Sequence, residues 1–232
     1  MTPTLLAVIL VGGITAIFAV TLGLVFYKAR QVQSFWLKLP ILGFRPIAAP
    51  EPELQDRISV LTGGGEALNL NVLDRGAYRL YLFQILRRDP TGEENPEAPF
   101  AASIRSVDLL LPRFSLLPCQ EDDLPAERLS SLSTVLSSQR LQPLPCPGFL
   151  ELESRFALYA ASPPDAANFF TDSRLERLAR HGEGWYLQGE DDLLIFERLR
   201  RRQLTISDDA RLQAAIADAG ELFGIFREEV TT

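Results

Sequence analysis

Residues 185–198 read Trp-Tyr-Leu-Gln-Gly-Glu-Asp-Asp-Leu-Leu-Ile-Phe-Glu-Arg. Two runs rich in aromatic and branched residues, at 185–188 and 193–198, flank Gly189-Glu190-Asp191-Asp192. Such a pattern predicts a β-hairpin, because Gly and Asp tolerate the turn and the flanking residues suit a pleated, half-buried surface. Further strand signals lie upstream. Residues 67–73 alternate, with Leu68, Leu70 and Val72 set against Asn69 and Asn71. Residues 78–86 (YRLYLFQIL) are apolar on both faces in their middle, as a central strand requires. Residues 103–117 are strand-like around Pro112, which has no N–H to donate and therefore predicts an edge, a bulge or a strand end. Residues 149–159 (FLELESRFALY) alternate and are expected to form a half-buried strand.

Helical segments punctuate these strands. One is expected from Asp123, with Pro125 in its first turn and Leu129, Leu132, Val135 and Leu136 at helical spacing. Another opens at Ser162-Pro163-Pro164-Asp165 and runs through Phe170. Ser173 and Glu176 match a capping box for a third, which runs to about His181 before Gly182 and Gly184. Ser207 is placed to cap the last, on which Leu212, Ile216, Ala219, Phe223 and Phe226 share a face. Hairpin signals with interspersed helices give an α+β class with a mainly antiparallel sheet of roughly five to seven strands and about three or four helices.

Outside this domain, residues 5–27 (LLAVILVGGITAIFAVTLGLVFY) carry no charge. A helix of that length spans a hydrocarbon core of about 30 Å. The run exceeds the roughly 7–15 residues of a signal-peptide core and lacks a basic leader. Lys28, Arg30, Lys38 and Arg45 follow before the first acid, Glu51. The positive-inside rule thus predicts a single-pass protein of an inner, plasma-type membrane, N-terminus out, with a cytoplasmic C-terminal domain. The domains expected are an anchor at 1–27, a basic juxtamembrane connector at 28–55 and an α+β domain at 56–232, with a sub-boundary near 142–148. The Pro-rich stretch 34–55 either lies along the membrane interface or packs onto the domain. Gly12, Ala16, Ala19 and Gly23 lie near one face of the anchor, where small residues let a partner helix approach.

The 232 residues hold 23 basic and 30 acidic side chains, a net charge of -7, which argues against nucleic acid as a partner. With 47% hydrophobic residues the chain can build a core. Its single His181 leaves no multi-His metal site, and Cys119 and Cys146 are expected to be free thiols in a reducing compartment. Gly63-Gly64-Gly65 reads as a turn, since the residues that complete a phosphate loop are missing. The acidic groups at 121–123, 190–192 and 208–209 match no calcium loop and suit caps and turns. Arg198, Arg200, Arg201 and Arg202 form a dense basic run suited to anionic lipid or an acidic partner, or to a solvated strand end. No catalytic, cofactor or metal constellation emerges.

Residues 112–117 (PRFSLL), 156–160 (FALYA), Asp165-Ala166-Ala167 and the 185–196 hairpin, in that order, resemble a group of uncharacterised bacterial membrane-anchored proteins. The similarity covers roughly residues 100–226. It implies one or two N-terminal membrane helices followed by a cytosolic α+β domain, and it brings no catalytic residues. Two functions are compatible with these features. One is a non-enzymatic interaction protein, an accessory subunit or assembly factor that binds a membrane protein complex or itself. The other is a membrane-tethered enzyme or ligand sensor with a pocket in the domain.

Overall fold

The computed structural model describes residues 21, 36–48, 51–86, 100–118, 136–146, 150–181, 185–198 and 208–227. The chain divides into two units at Gly43/Phe44. In the first, residues 36–38 are helical and Leu39–Leu42 form a 3-10 turn that stops at Gly43, whose φ of 87° suits glycine.

The second unit is α+β. Its described strands form one antiparallel sheet in the order β1-β2-β3-β4-β9-β8-β5-β7-β6. The strands are β1 (Arg45–Pro46), β2 (Glu66–Asp74), β3 (Arg79–Leu86), β4 (Phe100–Arg105), β5 (Leu111–Pro118), β6 (Gln142–Pro143), β7 (Phe156–Ala160), β8 (Trp185–Asp191) and β9 (Leu193–Arg198). The helices are α1 (Pro52–Thr62), α2 (Leu150–Arg155), α3 (Pro163–Phe169), α4 (Asp172–His181) and α5 (Asp208–Phe226). The 185–198 hairpin lies at the centre of the sheet. Glu190 pairs with Leu193 across a turn made by Asp191 and Asp192, and Asp191 adopts φ 52°.

The residues of β3 explain its place. Leu80, Tyr81, Leu82, Phe83 and Ile85 are all buried, so both faces of the strand must be covered. Tyr81, Phe83 and Ile85 meet Leu54, Ile58 and Leu61 of α1, together with Ala101, Leu193 and Ile195. Those three α1 residues fall at i, i+4 and i+7 and so form one helical stripe. Burying each such side chain contributes about 1.5–3 kcal/mol. The opposite face carries the aromatic cluster. Phe114 of β5 meets Phe170 edge-on at 5.0 Å and Phe226 of α5 at 5.6 Å. Arg174 of α4 is buried, stacks 4.1 Å from the Phe169 ring and donates to the carbonyls of Ile225 and Phe226. It thereby satisfies acceptors that the end of α5 leaves without intrahelical partners.

Several expectations are corrected. The domain has nine described strands, two of them only two residues long, and five described helices, where five to seven strands and three or four helices were expected. Residues 149–159 are not one strand: Leu150–Arg155 is α2, and β7 begins at Phe156. Leu and Glu alternation fits a strand by period, yet both residues favour helix, and the aromatic that favours a strand arrives only at Phe156. The capping box is displaced. The helix starts at Asp172, Ser173 lies inside it, and the Arg174 N–H points at Thr171 Oγ1, 3.5 Å away. Apart from these corrections, residue 55 lies within α1, and the second compact unit begins at Phe44. Within the stretch 142–148, Gln142 and Pro143 form β6, which pairs with β7 in the same sheet. Pro112 sits at a register shift between β5 and β8, one of the positions its missing N–H allows.

Of the helix expected from Asp123, only 136–138 lies within the described residues, and the expected cap Ser207 lies outside them. The apolar run 5–27 also lies outside, apart from Thr21. No helix among the described residues is long and apolar enough to cross a membrane.

Gly189 tests the packing of the central hairpin. A Cβ at this position would overlap the Phe114 ring and come within 3.0 Å of Leu111. Gly189→Ala is expected to destabilise the domain by about 1–3 kcal/mol in urea unfolding; an unchanged midpoint would show that the ring can move aside.

Candidate functional site

One end of the sheet gathers a set of ion pairs. Here β2 and β4 end, β3 and β9 begin, and the chain enters through Phe44 and β1, with Arg45 paired to Val72. Arg57 of α1 reaches the β8–β9 turn, where it donates to Asp192 Oδ1 and to the carbonyl of Glu190 at 2.7 Å. Arg105, the last residue of β4, donates to the other oxygen of Asp192 at 2.8 Å and to Glu51 at 2.9 Å. Arg113 pairs with Glu190 at 3.0 Å. Burial alone would raise the Asp192 carboxyl, but hydrogen bonds from Arg105 and Arg57 outweigh it and hold that carboxyl below its usual value. Arg105 is pushed up in turn, chiefly by its bond to Asp192. The arrangement is a clamp between α1 and the central hairpin.

Beside the clamp, residues 106–110 form a well-braced turn. Ser106 N donates to Asp192 O at 3.0 Å, Ser106 Oγ donates to Ala77 O at 2.7 Å, and Leu109 N returns to Ser106 O at 3.1 Å. Leu109 is buried, while Arg227 pairs with Asp108 at 3.2 Å. Two apolar side chains project outward from this frame: Val107 is 89% exposed and Leu110 81%. Arg45, Arg75 and Arg79 are exposed at the same end.

A second feature lies inside the sheet. Cross-strand register places Tyr81, Ser103, Ile195, Gln188, Ser115 and Tyr159 in one row on the α1 face. Ser103, Ser115 and Gln188 are buried, and among the described residues neither Ser hydroxyl nor either amide atom of Gln188 has a hydrogen-bond partner. Nearby, the buried Gln139 donates to the carbonyls of Val60 and Leu61, which closes the C-terminal end of α1.

The residues singled out in the sequence are dispersed. Gly12, Ala16, Ala19, Gly23, Lys28, Arg30, Arg200, Arg201 and Arg202 lie outside the described residues. Lys38 is half-buried in the short helix before the 3-10 turn. Arg45 stands at the entry end, whereas Arg198 closes β9 opposite Trp185 at the other end. These two arginines therefore do not form one basic patch. Cys119 lies outside the described residues; Cys146 is a buried free thiol, pushed up by burial and then by the charge of Glu153. That environment suits packing better than nucleophilic chemistry. His181 is the last residue of α4. Among the described residues no three His, Cys, Asp or Glu side chains group to hold a metal. The acids at 190–192 turn out to do more than solvate a turn. Their role was hidden in the sequence because Arg57, Arg105 and Arg113 are far from them along the chain. Val107 and Leu110 read as strand residues for a similar reason, with no local sign that the chain turns at 106–110.

Two substitutions test these features. Asp192→Asn should cost about 1–2 kcal/mol at pH 7, the scale of a hydrogen-bonded, partly buried ion pair. Because the folded carboxyl titrates low, its contribution is fully present above the unfolded-state value of about 3.9 and is lost as pH falls through the folded value. The stability gap between variant and parent should therefore persist at neutral pH and close in acid, as read by urea unfolding across pH. Gln188→Leu should raise stability by about 1–2 kcal/mol, since it removes an amide without partners from the core; a large loss would show that the amide is engaged in solution.

No protein-family model matches the chain, and no curated protein matches it. Among solved structures, the fold is similar to the crystal structure of the mycobacterial trehalose monomycolate transport factor A, TtfA. The TM-score is 0.51 and the identity 12%, with 85% of this chain and 93% of that one covered. The likeness is one of fold.

Proposed function

We propose that this chain is a single-pass membrane-anchored interaction protein, an accessory subunit or assembly factor of a membrane protein complex. In this reading residues 5–27 cross an inner membrane with the N-terminus out, and the α+β domain lies in the cytoplasm. The observation that carries the proposal is the apolar surface of the first unit. Leu37 is 70% and Ile41 83% exposed, and Leu42 is also exposed, in a short segment of defined helical and 3-10 geometry. Leu37 precedes the 3-10 turn and Ile41 and Leu42 lie within it, so the three exposed apolar side chains fall in one short stretch of chain. Large apolar side chains held together at a surface mark contact with another molecule. This segment follows the uncharged run 5–27 and its basic flank in the sequence. Two further features support the proposal. The charges gathered on the sheet neutralise one another and hold α1, so they are engaged in structure. The fold is also that of a protein named as a transport factor, although fold alone does not carry function. The looser resemblance to bacterial membrane-anchored proteins agrees in topology.

The buried row of Ser103, Ser115 and Gln188 favours the alternative, a tethered ligand sensor or enzyme, because buried polar atoms normally have partners. The two readings part in one experiment. Full-length protein is purified from native membranes in mild detergent, and co-purifying proteins are identified by mass spectrometry. A stoichiometric membrane protein complex is expected, and Leu37→Asp combined with Ile41→Asp should reduce its recovery about tenfold or more if the two side chains are central contacts. A protein recovered alone or only with itself, with the double variant unchanged, would contradict the accessory role and favour the sensor.

A further inference from the structure

We infer that the end of the sheet where the chain enters rests on an anionic lipid surface, with Val107 and Leu110 at the apolar–polar boundary and Arg45, Arg75 and Arg79 at the headgroups. The inference builds on the membrane anchor proposed above and adds which surface of the domain the bilayer meets. Connectivity is the first argument. The domain begins at Phe44, and β1 pairs Arg45 with Val72 next to the last turn of β2, which places chain entry at the end that carries residues 74–79 and 105–110. Sixteen residues lie between Tyr27 and Phe44. Residues 36–42 of that connection are helical or 3-10, so the tether is at most roughly 50 Å long. The entry end is thus the part of the domain joined to that connection.

The second argument is the chemistry of that end. Val107 and Leu110 are the two most exposed large apolar side chains of the domain among the described residues, and both occupy the same turn. Leu109 anchors the turn in the core, and Ser106 and Asp108 brace it, so the two side chains are presented with little ordering left to occur on contact. The charge pattern agrees. Residues 46–232 hold 19 basic and 30 acidic side chains, a balance that repels an anionic leaflet. At this end the balance is different. Glu51 is paired with Arg105 and Asp108 with Arg227, which leaves Arg45, Arg75 and Arg79 exposed against the exposed Asp74 and Asp191. Apolar tips with a basic rim favour the boundary between headgroups and acyl chains.

The test uses full-length protein in vesicles of phosphatidylcholine and phosphatidylglycerol. Nitroxides are placed at Val107→Cys, Leu110→Cys and, at the opposite end of β2, Glu66→Cys, all in a Cys119→Ser background. Flotation verifies insertion, and collision with oxygen and with a water-soluble nickel chelate reports depth. At 107 and 110 nickel collision is expected to fall roughly threefold or more relative to 66, because the boundary region excludes the polar reagent, and oxygen collision should rise. Protein that floats with labels at 107 and 110 as accessible as that at 66 would overturn this inference alone. Protein that fails to float would overturn the anchor and the inference with it. Shielding that needs a co-purified protein would overturn the lipid assignment and put that protein in its place. Equal shielding in pure phosphatidylcholine would overturn the role given to the arginines.

Discussion

The Asp192 carboxylate is the point on which the domain's geometry depends. It accepts from Arg57 on α1 and from Arg105 on β4, and its own turn joins the two central strands. Three elements distant in sequence are thereby held in one register. Apolar contact alone would let α1 slide along the sheet, because hydrophobic burial is not directional. Hydrogen bonds between planar guanidinium groups and a carboxylate are directional, and they set where the helix sits. The same bonds brace the surroundings. Arg105 reaches back to Glu51 ahead of α1, and the Asp192 carbonyl receives Ser106 N–H at the root of the 106–110 turn. The exposed Val107 and Leu110 therefore stand on a frame that the clamp holds in place.

The two faces of the sheet are built differently. One is closed by aromatic packing, with Phe114, Phe170 and Phe226 in mutual contact and Arg174 capping the end of α5. The other combines the apolar stripe of α1 with the polar row of Ser103, Gln188 and Ser115. An apolar residue at each of these positions would pack at lower cost, so the polar row is a departure from what the core requires. Departures of that kind are where a sheet domain most readily acquires a second role.

Much of the architecture was legible in the residues. The β3 run, the 185–198 hairpin, the Ser162-Pro163 helix start and the apolar face of α5 are local patterns, and local patterns carry periodicity and capping information. Helix α1 was also legible: Pro52 at its start, Leu54, Ile58 and Leu61 in a stripe, and Gly63 at its end are standard signals. The prolines before it read as a connector and mask that start. Residues 150–155 misled for the opposite reason, since their alternation fits a strand while their propensity fits a helix. The clamp and the polar row were not legible. Arg57 and Asp192 are 135 residues apart, and the alignment of Ser103, Gln188 and Ser115 follows from strand order, which no local pattern encodes. The same holds for the separation of Arg45 from Arg198, which look alike as basic positions and stand at opposite ends of the sheet.

All of the functional proposals rest on the uncharged run at residues 5–27 crossing a bilayer. Its most direct test is alkaline carbonate extraction of native membranes, combined with protease accessibility in right-side-out and inside-out vesicles. A crossing helix with the domain in the cytoplasm predicts full-length protein in the carbonate-resistant pellet. It also predicts digestion of the domain only when the cytoplasmic face is exposed. Release of intact protein into the carbonate supernatant, or digestion from the outer face, would contradict it.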